Sequence, residues 1–121
     1  MAYHPVNLAV RFLLELAGLV AMAYWGARQA DGVLRYVLAV GIPLVAAALW
    51  GTFAVPGDPS RSGKAPVPVP GIVRLALELA FFVFAVWALY DAGLVTSSIG
   101  TGVIVLIHYA VSYERIVWLL K

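Results

Sequence analysis

The chain has 121 residues, 64% of them hydrophobic and 12% charged, with a formal charge of +2 and no cysteine. A soluble domain of this size has no interior large enough for that apolar fraction, so the composition predicts an integral membrane protein, with lipid as the main solvent. The absent cysteines exclude thiol redox chemistry and thiolate metal sites, and the few basic residues form no stripe that would bind nucleic acid.

Four apolar stretches reach the roughly 20 residues that a bilayer crossing needs: about 6–26, 33–53, 71–90 and 94–112. Pro5 and Pro70 suit the openings of the first and third, where a missing amide proton costs nothing. Gly32 and Asp91-Ala92-Gly93 read as tight connections within two hairpins, about 6–54 and 71–112. Between them, 55–70 carries Pro56, Pro59, Pro66, Pro68 and Pro70 and reads as an exposed, partly polyproline linker. The last residues, 113–121, mix charge with apolar positions and are expected to extend the fourth helix as an amphipathic piece at the interface. Gly41-Ile42-Pro43 predicts a bend in the second span, and Gly100 and Gly102 predict close helix contact in the fourth.

The first spans of the two hairpins share a motif. Val10-Arg11-Phe12-Leu13-Leu14-Glu15-Leu16-Ala17 lies over Val73-Arg74-Leu75-Ala76-Leu77-Glu78-Leu79-Ala80 without a gap. Each repeat holds two spans, so both copies run in the same direction, as parallel repeats. The predicted fold is therefore all-α, an integral membrane four-helix bundle made of two parallel-repeat hairpins in a single membrane domain over 1–121. Arg61, Lys64, Arg115 and Lys121 lie on the side of the termini and linker, which by the positive-inside rule are expected to be cytoplasmic at the plasma membrane. Tyr24, Trp25, Tyr36, Trp87 and Tyr90 then form an outer aromatic belt.

Ionisable residues inside membrane helices cost about 2.5–3.5 kcal/mol each on insertion scales, so Arg11, Glu15, Arg74 and Glu78 are read as one buried polar cluster. Helical rise puts Glu15 and Glu78 at similar depth, about 13 Å and 11 Å along their spans. Three arrangements are open: each arginine with its own glutamate, crossed pairs between repeats, or arginines at the headgroups and two carboxylates sharing a proton. Asn7, Trp50, His108, Tyr109 and Ser112 extend the cluster as further polar groups of the inner half. His108 has no second histidine at its depth, so neither a metal nor another cofactor is expected.

The runs Arg11-Phe12-Leu13-Leu14-Glu15-Leu16, Tyr24-Trp25-Gly26, Trp50-Gly51-Thr52-Phe53 with Pro56, Leu77-Glu78-Leu79 and Ala88-Leu89-Tyr90 with Gly93 resemble the YrdB-like family of small bacterial membrane proteins. The resemblance implies four spans and supplies no mechanism. The primary expectation is a structural, accessory or partner-binding membrane subunit, not an enzyme; its partners are the bilayer and either a second copy or an unidentified membrane protein. The alternative is a dimeric proton-coupled transporter using Glu15 and Glu78. A third reading has a lipid- or quinone-modifying enzyme with one of those glutamates as base and His108 as acid.

Overall fold

The computed structural model describes residues 4–58 and 65–121. Its elements are α1 (Pro5–Ala27), α2 (Gly32–Thr52), β1 (Phe53–Ala54), β2 (Val67–Pro68), α3 (Gly71–Asp91), α4 (Val95–Val111) and α5 (Tyr113–Leu120). Arg61 and Lys64, two of the topology signals, lie outside the described residues.

Helix boundaries follow local chemistry. Proline occupies the first turn of α1, and the His4 ring accepts a hydrogen bond from the Val6 amide at 3.2 Å. The connections to α2 and from α3 to α4 each need a left-handed residue, supplied by Gly32 at φ 65° and Gly93 at φ 86°. Pro43 lies within an uninterrupted α2.

α1 and α3 lie side by side; α2 packs mainly on α1 and reaches α3 through Trp50, and α4 packs mainly on α3 and also touches α1. The buried stripe of α1, Arg11, Leu14, Gly18, Ala21 and Met22, faces the stripe Arg74, Glu78, Phe81, Phe82 and Ala85 of α3, each at helical period. Gly18 lets the Phe81 ring approach so closely that an added Cβ would stand 2.6 Å from its Cε1. Phe81 in turn packs on Trp50 of α2 and Phe82 of α3, with ring centroids 4.8 Å and 5.2 Å away. α2 contributes no buried residue, and Leu34, Val37, Leu44 and Val45 are fully on its outside. The helices α1, α2 and α3 are each long and apolar enough to cross a membrane, with a fourth crossing if α4 and α5 count as one broken span.

Three expectations are corrected. The C-terminal segment does not extend the fourth helix: α5 bends from α4 by 69°. The Ser112 hydroxyl at the bend is held by Asn7, and the turn swings Arg115 and Leu119 back onto α3, where a straight helix would carry them past it. The linker is not wholly exposed. Its Asp58 is buried, and its Val67-Pro68 pairs in parallel with Phe53-Ala54, just before it. Of the glycines expected at helix contacts, Gly100 faces open space and Gly102 stands at ordinary distance from Val86; the close approaches are at Gly18, at Gly26 against the Leu38 carbonyl, and at Gly71 against the Leu119 backbone.

Candidate functional site

At the ends of α1 and α3 nearest the linker, Glu78 is wholly buried and collects donors from four elements. Its Oε2 takes Arg11 Nη2 at 2.8 Å, Arg74 Nε at 2.8 Å and the Arg115 Nη2. Its Oε1 takes the Tyr109 hydroxyl at 2.9 Å and Arg115 Nε at 3.4 Å. A carboxylate offers about four lone-pair sites, so these donors saturate Glu78, and the Arg115 fork grips both oxygens in bidentate fashion.

A single negative charge does not balance three guanidiniums at low dielectric. Asp58, from the linker, supplies a second, accepting from Arg115 Nη1 at 2.7 Å with both side chains 2% exposed. Glu15 supplies a third at the margin: its Oε1 is 3.4 Å from Arg11 Nε and its side chain is 22% exposed. Arg11, Arg74 and Arg115 against Glu15, Asp58 and Glu78 sum to zero formal charge. Arg74 also donates through Nη1 to the carbonyls of Trp50 and, at 2.8 Å, Phe53, satisfying the backbone where α2 ends. The Trp50 ring lies under the Arg74 and Arg11 guanidiniums, 4.5 Å and 5.3 Å from its centroid.

The expected cluster is thus assembled unequally. Arg11 bridges its own Glu15 and the opposite Glu78, whereas Arg74 reaches Glu78 alone. Neither the symmetric crossed arrangement nor arginines withdrawn to the headgroups describes this geometry, because Arg11 and Arg74 are 5% and 4% exposed. Of the extending residues, Trp50 and Tyr109 touch the charged core, while Asn7 Nδ2 donates to Ser112 Oγ at 2.7 Å and ties α1 to the bend between α4 and α5. His108 is buried and stacks edge-on against Tyr109 with centroids 5.5 Å apart.

Sequence reasoning placed Arg115 among the surface topology signals and gave Asp58 no role. The available clue was spacing: Ser112, Arg115 and Leu119 recur on one face of a short helix, which makes Arg115 inward if Leu119 is. At the far end of α1, Trp25, expected in an interfacial belt, has partners within the protein. Its indole Nε1 donates to Asp91 Oδ2 at 2.8 Å and its ring packs on Phe84 and Trp87. Among the described residues no group of histidine and carboxylate side chains has metal-binding spacing.

Residues 9–106 match the family described as "Protein of unknown function (DUF2568)". The chain is also 42% identical over 118 residues, 98% of its length and 96% of the relative's, to "Uncharacterized protein YrdB" of Bacillus subtilis (strain 168). No solved structure matches it. With a family match over most of the chain and this identity along nearly all of it, the chain belongs to the YrdB-like family.

Proposed function

We propose that this chain is a non-enzymatic, structural or partner-binding subunit of the plasma membrane, a four-span bundle of two parallel hairpins whose charged cluster locks the hairpins, the linker and the C-terminal helix together. The observation that carries the reading is Glu78, wholly buried and gripped by Arg11, Arg74 and Arg115 from three different helices. A carboxylate so saturated has no lone pair free for a travelling proton or a cationic substrate. That favours the lock over proton-coupled transport through a Glu15 and Glu78 pair, which needs both carboxylates available.

The membrane assignment is supported by the exposed surface. α2 offers lipid or a neighbouring subunit an apolar face along its whole length. The groove between α3 and α4, about 490 Å³ and lined by Phe82, Val86, Trp87, Gly102 and Val105, is almost entirely apolar. In this reading the termini and linker are cytoplasmic. The cluster then stands at the inner end, where Asp58 and Arg115 reach it from the cytoplasmic side.

The test uses the absence of native cysteine. Single-cysteine variants Gln29→Cys and Lys121→Cys are labelled in intact cells with a membrane-impermeant maleimide. Labelling at 29 and protection at 121 until lysis supports the topology; the reverse pattern, or recovery of the protein from the soluble fraction, contradicts it. For the lock, Glu78→Gln is expected to abolish accumulation of folded protein, whereas a transporter would stay folded and lose only activity.

A further inference from the structure

The lock leaves two buried side chains unaccounted for. Arg11 uses Nε on Glu15 and Nη2 on Glu78, but its Nη1 has no hydrogen-bond partner among the described residues, and neither has either ring nitrogen of His108. Both residues are deeply buried, at 5% and 4% exposure. They also belong together. α1 and α4 run antiparallel and are fastened by Asn7 and Ser112; Arg11 lies one turn beyond Asn7 and His108 one turn before Ser112, so helical period puts them at the next level of the same seam.

Unpaired buried donors and acceptors are costly, and such a pair has a definite complement. Arg11 Nη1 presents N–H, and a neutral imidazole presents one N–H and one lone pair. Among the described residues the surrounding guanidiniums and carboxylates balance, so a further anion or cation would be an uncompensated buried charge. The complement is a neutral oxygenated group with a carbonyl oxygen to accept from Arg11 Nη1 and a second oxygen that either accepts from the imidazole N–H or, as a hydroxyl, donates to its lone pair. The exposed residues of both helices near this level, Val10 and Leu13 on α1 and Ile104, Ile107 and Val111 on α4, are apolar, so the surface around the seam suits a hydrocarbon-soluble molecule.

We propose that the α1–α4 seam is a binding site for the neutral oxygenated headgroup of a membrane-soluble molecule, with Arg11 Nη1 and His108 as its hydrogen-bonding residues. The proposal rests on the membrane reading above and adds to the lock a ligand that the lock does not require. A quinone ring, with two carbonyl acceptors, and the ester and hydroxyl end of a diacylglycerol, with an acceptor and a donor, both meet this requirement.

The chain has 2 histidines, so a His4→Asn variant keeps the capping role with one imidazole left to observe. In ¹⁵N-histidine-labelled protein in lipid nanodiscs, a decyl-chain benzoquinone and dioctanoylglycerol are titrated separately. The expected result is a saturable shift of the His108 ring nitrogens with one of them, which identifies the source. His108→Leu is expected to weaken that probe's binding by roughly ten-fold or more, measured by competition, while His108→Gln, which keeps a donor and an acceptor, retains most of it. Ring signals that respond to neither probe, as with water alone at the pair, overturn the proposal, and so does probe binding that His108→Leu leaves unchanged. Failure of the membrane reading would be visible earlier, as protein that is recovered without detergent and does not enter nanodiscs.

Discussion

The two copies of the arginine and glutamate motif have nearly the same sequence and opposite environments. In α3, Glu78 is wholly buried and takes three guanidiniums and a tyrosine hydroxyl; in α1, Glu15 is partly exposed and keeps one long contact to Arg11. The difference lies in what covers each helix. α3 packs against α1 and α4 and is crossed by α5, which brings Arg115, whereas the helix that packs most on α1, α2, carries no charge to the cluster. The same local motif is therefore a hub in one place and an edge in the other.

That contrast is broken most severely at Glu78. Glu78→Gln leaves three buried guanidiniums short of charge and is expected to cost about 3–5 kcal/mol, seen as loss of folded, monodisperse protein in detergent. Next comes Arg115→Met, which keeps the volume but removes the bidentate grip and the ion pair to Asp58; about 2–3 kcal/mol is expected, read from the apparent melting temperature. Gly71→Ala should detach α5, because a methyl there collides with the Leu119 backbone, at a cost of about 1–3 kcal/mol; increased proteolysis near residue 113 is the readout. Asp58→Asn keeps an oxygen for Arg115 and removes its charge, so about 1–2 kcal/mol is expected, together with protease sensitivity in the linker. Smallest is Glu15→Gln, at about 1 kcal/mol or less, since its single contact is long and solvent reaches it.

Much of this was legible in the chain. Periodicity placed α1, α2, α3 and α4 to within a residue or two of where they lie, because long apolar runs bounded by proline and glycine leave few alternatives. Arg11, Glu15, Arg74 and Glu78 could be singled out because charge inside an apolar run is expensive. Their unequal pairing could not, since it depends on α5, and nothing local to residues 113–121 encodes the direction of a bend that Ser112 makes by bonding to Asn7, far away in sequence. Asp58 was hidden for a similar reason. A proline-rich segment advertises only that it is not helix, and the burial of its one described acid depends on the strand pairing at its two ends. Sequence alone does not separate Gly100 from Gly18; only the partner, Phe81, tells them apart.

The most direct test of the account is the thermal stability of Glu15→Gln and Glu78→Gln measured side by side with the wild type in the same detergent. The prediction is strong asymmetry: Glu78→Gln fails to fold or melts far below the wild type, and Glu15→Gln melts within a few degrees of it. Equal losses in the two variants, or a larger loss at Glu15, would contradict the assignment of Glu78 as the hub of the lock.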